Sequence, residues 1–231
     1  MDFTAAEYAE RDSDRLKEIL SGPPVTWVLI GDSITQGVVH THGRRAYSEH
    51  FAERVRGELG RLGDAVVNTA VAGSTSEDLL PEFHWRAGRF APDVVLAMYG
   101  TNDAVEGLDG VRGYRYRVDQ IVQRSRDIGA IVVLQTPPPV QPGDVRDPAV
   151  VAAYAAAVRE VAADLGVLLV DHHRHWTRAG ADGPPAHWFD DPIHPGAAGH
   201  VELARALFQA LGIDDPSSGA YSLELEGAAR G

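Results

Sequence analysis

The sequence predicts an α/β protein built around a parallel sheet, and two observations support this prediction. Short β-branched runs alternate along the chain with longer segments whose apolar residues recur every three or four positions. Most of the short runs are continuously apolar, which is typical of strands buried on both faces. A chain of 231 residues can form one such domain around a single core.

Five runs are the strand candidates. They cover residues 25–30, 65–68, 94–99, 130–135 and 167–170. Apolar stripes between and after them predict helices, because each places its apolar side chains on one face. These helices cover residues 51–62, 79–83, 114–122, 151–165 and 197–211. Gly212 is placed to end the last one in the left-handed conformation. A further helix is expected before Pro23 and Pro24, which cannot continue it.

Composition and charge exclude several classes of partner. The net charge of −12 disfavours nucleic acid, whose phosphates are bound by Lys and Arg. No apolar stretch is long enough to cross a bilayer, so we expect no membrane span. The first segment lacks the basic start and apolar centre of a secretory signal, which favours a cytoplasmic location. The chain contains no cysteine, which excludes disulfides and thiolate chemistry.

Four polar blocks lie where ligands bind in parallel sheets. "GDSIT" follows the first predicted strand, "NTAVAGST" the second and "GTND" the third, while "DDPIHPGAAGH" lies between the fifth strand and the last helix. Because the carboxyl ends of parallel strands share one edge, residues more than 160 positions apart can meet there. We therefore expect the site at this edge.

The blocks contain a nucleophile, a base and a residue that orients the base. Ser33 offers a hydroxyl, and His194 offers an imidazole, a group whose pKa is ordinarily ~6.5. Asp191, three residues before His194, can accept a hydrogen bond from Nδ1 and leave Nε2 for the serine. Pro195 is expected to begin the last helix and fix this turn. The alternative for Ser33 alone is a helix N-cap.

The blocks also supply donors for an oxyanion. Gly73 can bring its N–H close to a substrate, Asn102 adds a side-chain amide, and the N–H of Ser33 is the third donor. Asp32 and Asp103 lie next to these residues, and we expect both to support them by accepting local backbone hydrogen bonds.

In order and spacing, the four blocks closely resemble those of the SGNH hydrolases, also called GDSL-type esterases, from about residue 25 to residue 211. The resemblance implies a flavodoxin-like three-layer α/β/α sandwich with a five-stranded parallel sheet. It also implies site roles: Ser33 is the nucleophile, Ser33, Gly73 and Asn102 are the oxyanion donors, and Asp191 and His194 complete the triad. The family spacing selects Asp191 over Asp190, which is expected to be solvated. No G-x-S-x-G string is present, which disfavours the nucleophile elbow of ordinary α/β-hydrolases.

The expected activity is that of a serine esterase that needs no cofactor. It would hydrolyse short-chain acyl esters, O-acetyl esters included, of a small molecule or sugar through an acyl-enzyme. Acyl transfer or thioester hydrolysis by the same site, a metal-dependent hydrolase and a non-catalytic binding module are the alternatives. The blocks specify neither the acyl group and alcohol nor an oligomeric state. We expect an N-terminal helical extension (1–24), the hydrolase domain (25–213) and a flexible tail (214–231).

Two segments outside the blocks have open roles. The Pro-rich stretch 136–148 is expected to be a long surface loop, and a functional role and a rigid connection are equally compatible with it. His172, His173 and His175 lack the spacing of a zinc site, so we expect a solvated polar loop and no metal.

His40 and His42 follow the loop that carries Ser33. We expect a plain surface loop, and a place at the mouth of the site is the alternative. Tyr99, Trp85 and Trp188 are aromatic residues near sheet edges, which more often belong to the core than to a pocket wall.

Overall fold

The structure, a computed structural model, describes residues 3–180 and 183–223. Its centre is a sheet of five parallel strands in the order β2-β1-β3-β4-β5. The strands are β1 (Thr26–Gly31), β2 (Ala65–Asn68), β3 (Val94–Met98), β4 (Ile131–Gln135) and β5 (Leu168–Val170). Each agrees with its predicted run to within one residue at either end, so the predicted parallel sheet is confirmed.

A helix lies at each predicted segment, and short helices that the sequence did not predict occur between and after them. The helices are α1 (Ala5–Ser21), α2 (Ser33–Gln36), α3 (Tyr47–Ala52), α4 (Ser76–Arg86), α5 (Val111–Asp127), α6 (Pro148–Leu165), α7 (His172–Thr177), α8 (Ala197–Ala210) and α9 (Gly219–Ser222). The segment 51–62 differs from its prediction, because α3 continues as a π-helix over Glu53–Glu58. Gly212 follows α8 with φ of 65°, in the left-handed conformation that was predicted for it.

Two cores lie on opposite faces of the sheet and make the three layers. Because side chains alternate along a strand, Val28 and Val95 face a core that includes residues of α4, α5 and α6. Leu29 and Leu96 face the other core, which includes residues of α1, α3 and α8. Every residue of β3 and β4 is buried, whereas β2 is at an edge and partly exposed. The α/β/α sandwich implied by the resemblance is therefore confirmed.

The two ends of the chain pack against the sandwich as far as they are described. Leu16 of α1 belongs to the core beside α3 and α8. Near the other end, Arg205 of α8 donates to the carbonyl oxygens of Tyr221 and Leu223. The rest of the predicted tail, 224–231, lies outside the described residues, and the division into three parts stays a prediction. Within the described ranges, no helix is both long and apolar enough to cross a membrane.

Candidate functional site

The turn from β1 to α2 presents Ser33 at the carboxyl edge of the sheet. Gly31 is the last residue of β1. A Cβ on Gly31 would lie 2.7 Å from the carbonyl oxygen of Met98, so only glycine fits there. The side chain of Asp32 accepts a hydrogen bond of 2.9 Å from the N–H of Ile34 and is the N-cap of α2. Ser33 is therefore the first residue of the helix, and the N-cap role considered for it belongs to Asp32.

Ser33, His194 and Asp191 form a continuous chain of hydrogen bonds. Ser33 Oγ is 3.0 Å from His194 Nε2, and His194 Nδ1 is 2.8 Å from Asp191 Oδ2. The other carboxylate oxygen of Asp191 accepts from the N–H groups of Ile193 and His194. Because Nδ1 donates to the carboxylate, Nε2 of the neutral ring is free to accept the serine proton.

Hydrogen bonding keeps Asp191 ionised. Burial raises the pKa of its carboxyl group, but the bonds from His194 and from the N–H of Ile193 lower it more, so the pKa lies below its ordinary value. A negative charge next to Nδ1 stabilises the imidazolium that forms when His194 takes a proton.

The turn that carries His194 is held differently from the sequence prediction. α8 begins at Ala197 with Gly196 as its N-cap, so the expectation that Pro195 begins the last helix is wrong. Pro195 instead forms an isolated bridge with Phe189. The N–H of Asp190 also donates to the carbonyl oxygen of His194 at 2.9 Å, which closes the turn.

The residues predicted as oxyanion donors lie around one cavity. Ser33, Gly73, Asn102 and His194 all line a cavity of about 300 Å³. Gly73 has φ of 78°, and no heavy atom of the described residues lies within 4 Å of where its Cβ would be. Its left-handed backbone, and not a close protein neighbour, is what favours glycine there. The structure thus brings together three distant blocks around Ser33, while Asp191 lies behind His194.

Asp103 connects two of these blocks. It is fully buried and accepts hydrogen bonds from both the N–H and the hydroxyl of Ser76, the first residue of α4. Burial raises the pKa of Asp103 above its ordinary value, against the hydrogen bonds from Ser76. Burial likewise raises the pKa of Asp32, to about 7. Asp32 accepts a local backbone bond, as predicted, whereas the backbone donor to Asp103 lies 27 positions away in the sequence. Their support of the site stays a prediction.

His40, for which a plain surface loop was expected, packs on His194. The rings of His40 and His194 are stacked, with centroids 3.7 Å apart and planes 6° from parallel. His40 Nδ1 is 2.8 Å from Asp190 Oδ2, and His42 Nε2 is 2.6 Å from Asp190 Oδ1. Asp190 is therefore paired with both histidines while it stays exposed to solvent, as expected. His40 lines the cavity. These residues are about 150 positions apart, and no sequence pattern marks the pair.

Arg146 is a cavity residue that sequence reasoning missed. It lies in the Pro-rich stretch 136–148 and lines the cavity. Its guanidinium donates to Asn102 Oδ1 at 2.9 Å and to the carbonyl oxygen of Thr101 at 3.1 Å. The only available signal was the position of its loop, which leaves the carboxyl end of β4.

The histidine cluster after β5 is structural. The expected polar loop is the helix α7, and His172 is fully buried, with Nε2 2.9 Å from Gln135 Oε1. Burial lowers the pKa of His172 to about 3, so this ring is neutral. His175 lies 3.5 Å from Glu202. The expectation of a solvated loop is therefore wrong for His172.

One group of possible metal ligands occurs among the described residues. His40, Asp191 and His194 offer ligand atoms that all lie within 4.8 Å of one another. Ring nitrogens bind a metal through lone pairs in the ring plane, and the His40 and His194 planes are nearly parallel. Their lone pairs do not converge on one point without rotation of a ring.

Comparison with known proteins identifies the family of this chain. The chain belongs to the GDSL-like Lipase/Acylhydrolase family, whose family model matches residues 29–201. It is 26% identical over 206 residues to an acetylxylan esterase of Geobacillus stearothermophilus, a match that covers 81% of this chain and 94% of that protein. The protein is therefore a carboxylic ester hydrolase, and the resemblance to GDSL-type esterases is confirmed.

Two solved structures share this fold. An alpha/beta hydrolase enzyme from the metagenome of Lake Arreo, Spain, is 25% identical with a TM-score of 0.70, and the match covers 85% of this chain and 100% of that one. A catalytic mutant of an acetylxylan esterase from Geobacillus stearothermophilus is 24% identical with a TM-score of 0.69, over 84% of this chain and 96% of that one. The second likeness shows the shared fold.

Proposed function

We propose that the protein hydrolyses short-chain acyl esters, in particular acetyl esters of a small molecule or sugar, through Ser33, His194 and Asp191. One observation supports this proposal above the others: the hydrogen-bond chain from Ser33 Oγ through both nitrogens of His194 to Asp191, which opens on the cavity. This arrangement can activate a serine hydroxyl without any further group.

The acylation half-reaction follows from this geometry. Ser33 Oγ attacks the ester carbonyl carbon while its proton moves to His194 Nε2, and Asp191 stabilises the imidazolium. The carbonyl oxygen becomes an oxyanion, for which the N–H groups of Ser33 and Gly73 and the side-chain amide of Asn102 are the proposed donors. The tetrahedral intermediate then collapses, and the C–O bond to the alcohol breaks as His194 returns the proton to the leaving oxygen.

Deacylation repeats these steps with water. His194 takes a proton from a water molecule, whose oxygen attacks the acyl carbon on Ser33. A second oxyanion forms at the same donors. Its collapse releases the carboxylic acid and returns the proton to Ser33 Oγ, which restores the resting site.

The shape of the cavity favours a small acyl group. At about 300 Å³ it lies at the low end of the range for ligand pockets. Its apolar lining consists of small and branched side chains, Val38, Val39, Ala72 and Ile193. Tyr99, Trp85 and Trp188 are not among its lining residues, so no aromatic wall is available there among the residues that the structure describes. An acetyl group fits such a lining, and the acetylxylan esterase relative is named for an acetylated sugar polymer.

The proposal is tested by hydrolysis of p-nitrophenyl acetate, butyrate and octanoate, followed by acetate release from acetylated sugars. We expect the acetate ester to be preferred and Ser33→Ala to abolish turnover. Ser21→Ala, at the exposed end of α1, is the control for the substitution itself. A fluorophosphonate should add to the peptide that contains Ser33, as read by mass spectrometry. Full activity of Ser33→Ala would overturn the proposal.

A further inference from the structure

We infer that the loop 136–148 is a strap that positions the site, and that Arg146 is the residue on it that aims the amide of Asn102 at the oxyanion. This inference rests on the proposed function, since it assigns Asn102 the role of an oxyanion donor. It also gives a role to this Pro-rich segment, for which the sequence was equally compatible with a functional loop and with a rigid connection.

The first half of the strap is built into the sheet edge. Residues 136–140 are all buried, although the sequence predicted a surface loop. The N–H of Thr136 donates to the carbonyl oxygen of Val170, which continues the pairing of β4 with β5. Gly100 is the first residue of the block that contains Asn102, and a Cβ on it would lie 2.9 Å from Pro137 Cγ. The strap therefore packs directly against that block.

The strap also holds the block that contains His194. The N–H of Gln141 donates to the carbonyl oxygen of Pro192 at 2.7 Å. Pro192 lies between Asp191 and His194, in the turn whose geometry orients the imidazole. One loop thus contacts both the turn of the base and the block of an oxyanion donor.

Arg146 makes the contact with Asn102 through a planar fork. Nε donates to the carbonyl oxygen of Thr101 at 3.1 Å, Nη2 donates to Asn102 Oδ1 at 2.9 Å, and Nη1 donates to Asp144 Oδ1 at 2.7 Å. The side chain is only 16% exposed. A guanidinium bound to three acceptors at once has little freedom to turn, because its donors lie in one rigid plane.

These bonds fix the orientation of the Asn102 side-chain amide, that is, the positions of its Oδ1 and Nδ2 atoms. Oδ1 accepts from Arg146, and one hydrogen of Nδ2 is donated to the carbonyl oxygen of Ser74 at 3.0 Å. The second hydrogen of Nδ2 is left for an oxyanion in the cavity that Asn102 lines. Without Arg146 the amide can turn and place Oδ1 there instead, where it would repel a negative oxygen. A donor stabilises the transition state only if it is already aimed.

A double-mutant cycle tests whether Arg146 acts through Asn102. The variants are Arg146→Met, Asn102→Ala and both together, assayed with p-nitrophenyl acetate. Loss of one oxyanion donor typically costs ~10²–10³ in kcat, and we expect Arg146→Met to lose part of that, about tenfold, with KM within about twofold. In the Asn102→Ala background, Arg146→Met should change kcat by less than about twofold.

Further variants separate positioning from damage to the fold. Arg115→Met is the matched control, because Arg115 lies on the surface of α5 and pairs with Glu160 and Asp164 of α6. It should leave kcat unchanged. Arg146→Lys keeps the charge but lacks the planar fork, so we expect an intermediate kcat, and this variant replaces Arg146→Met if the latter fails to fold.

The outcomes distinguish this inference from the proposed function. If Asn102→Ala does not lower kcat, the oxyanion role of Asn102 in the proposed function is wrong. If Asn102→Ala lowers kcat but Arg146→Met does not, the proposed function stands and the inference is wrong. The same holds if Arg146→Met lowers kcat by the same factor in the Asn102→Ala background as in the wild type. A tenfold loss that disappears in the Asn102→Ala background supports the positioning role.

Discussion

Asn in place of Asp32 should make the protein more stable above neutral pH. Asp32 is 1% exposed, and its carboxyl group accepts from the N–H of Ile34. Burial is the main reason why its pKa rises from 3.8 to about 7. The charge of Asp103 also raises this pKa, whereas the hydrogen bond from Ile34 and the charge of Arg146 lower it. Asparagine has a similar shape, is an equally good N-cap and carries no charge at acidic, neutral or basic pH.

The sign and size of the effect follow from proton linkage. A carboxyl group with a raised pKa in the folded state binds its proton more tightly there than in the unfolded chain, so stability falls as pH rises from about 4 to about 7 and then levels off. A change from 3.8 to about 7 corresponds to about 4 kcal/mol, which is an upper limit. Local relaxation reduces such values, so we expect Asp32→Asn to raise the free energy of unfolding at pH 8 by ~2 kcal/mol.

Urea unfolding followed by circular dichroism from pH 5 to pH 8.5 measures this difference. The gain of Asp32→Asn over the wild type should grow through this interval and level off above about pH 7. Asp147→Asn is the matched control, because Asp147 is the exposed N-cap of α6 and accepts from the N–H of Ala149 at 2.7 Å. A difference that is the same at pH 5 and pH 8 would show that Asp32 is not a buried carboxyl that titrates near neutrality.

Two further predictions concern stability. Gly37→Ala should lower the free energy of unfolding by at least ~3 kcal/mol, because Gly37 has φ of 73° and a Cβ there would overlap that of Ala46. Gly60→Ala is the control and should cost only ~1–2 kcal/mol, because Gly60 has φ of 70° but no described heavy atom within 4 Å of its Cβ position. Equal losses for the two variants in thermal unfolding would refute the packing argument. Trp27→Phe should cost ~1–3 kcal/mol, because it removes the 2.8 Å bond from Trp27 Nε1 to the buried Asp64; an unchanged unfolding midpoint in urea would contradict this.

Much of the fold was predictable because it depends on local patterns. Continuous apolar runs mark strands that are buried on both faces, and the alternation of runs and stripes predicts a parallel sheet with crossover helices. The short distance in sequence between Asp191 and His194 predicts their contact, since a tight turn can bring residues i and i+3 together. Ser33 and His194 are 161 positions apart, and their meeting was predictable only because both follow the carboxyl edge of one sheet.

The surroundings of that site were decided by tertiary structure. The stacking of His40 on His194 depends on the path of a loop in which Val39 and His42 adopt positive φ, and no periodicity in the sequence indicates it. Likewise, the burial of His172 in α7 depends on its contact with Gln135 of β4.

The sequence by itself determined the sheet, the order of its strands along the chain and the four blocks at its edge. Only the tertiary structure decided that Arg146 holds Asn102 and that His40 covers His194. The physical reason is that strands, helices and turns follow from residues close in sequence, whereas these contacts come from irregular loops, whose paths are fixed by side-chain hydrogen bonds and packing between distant segments.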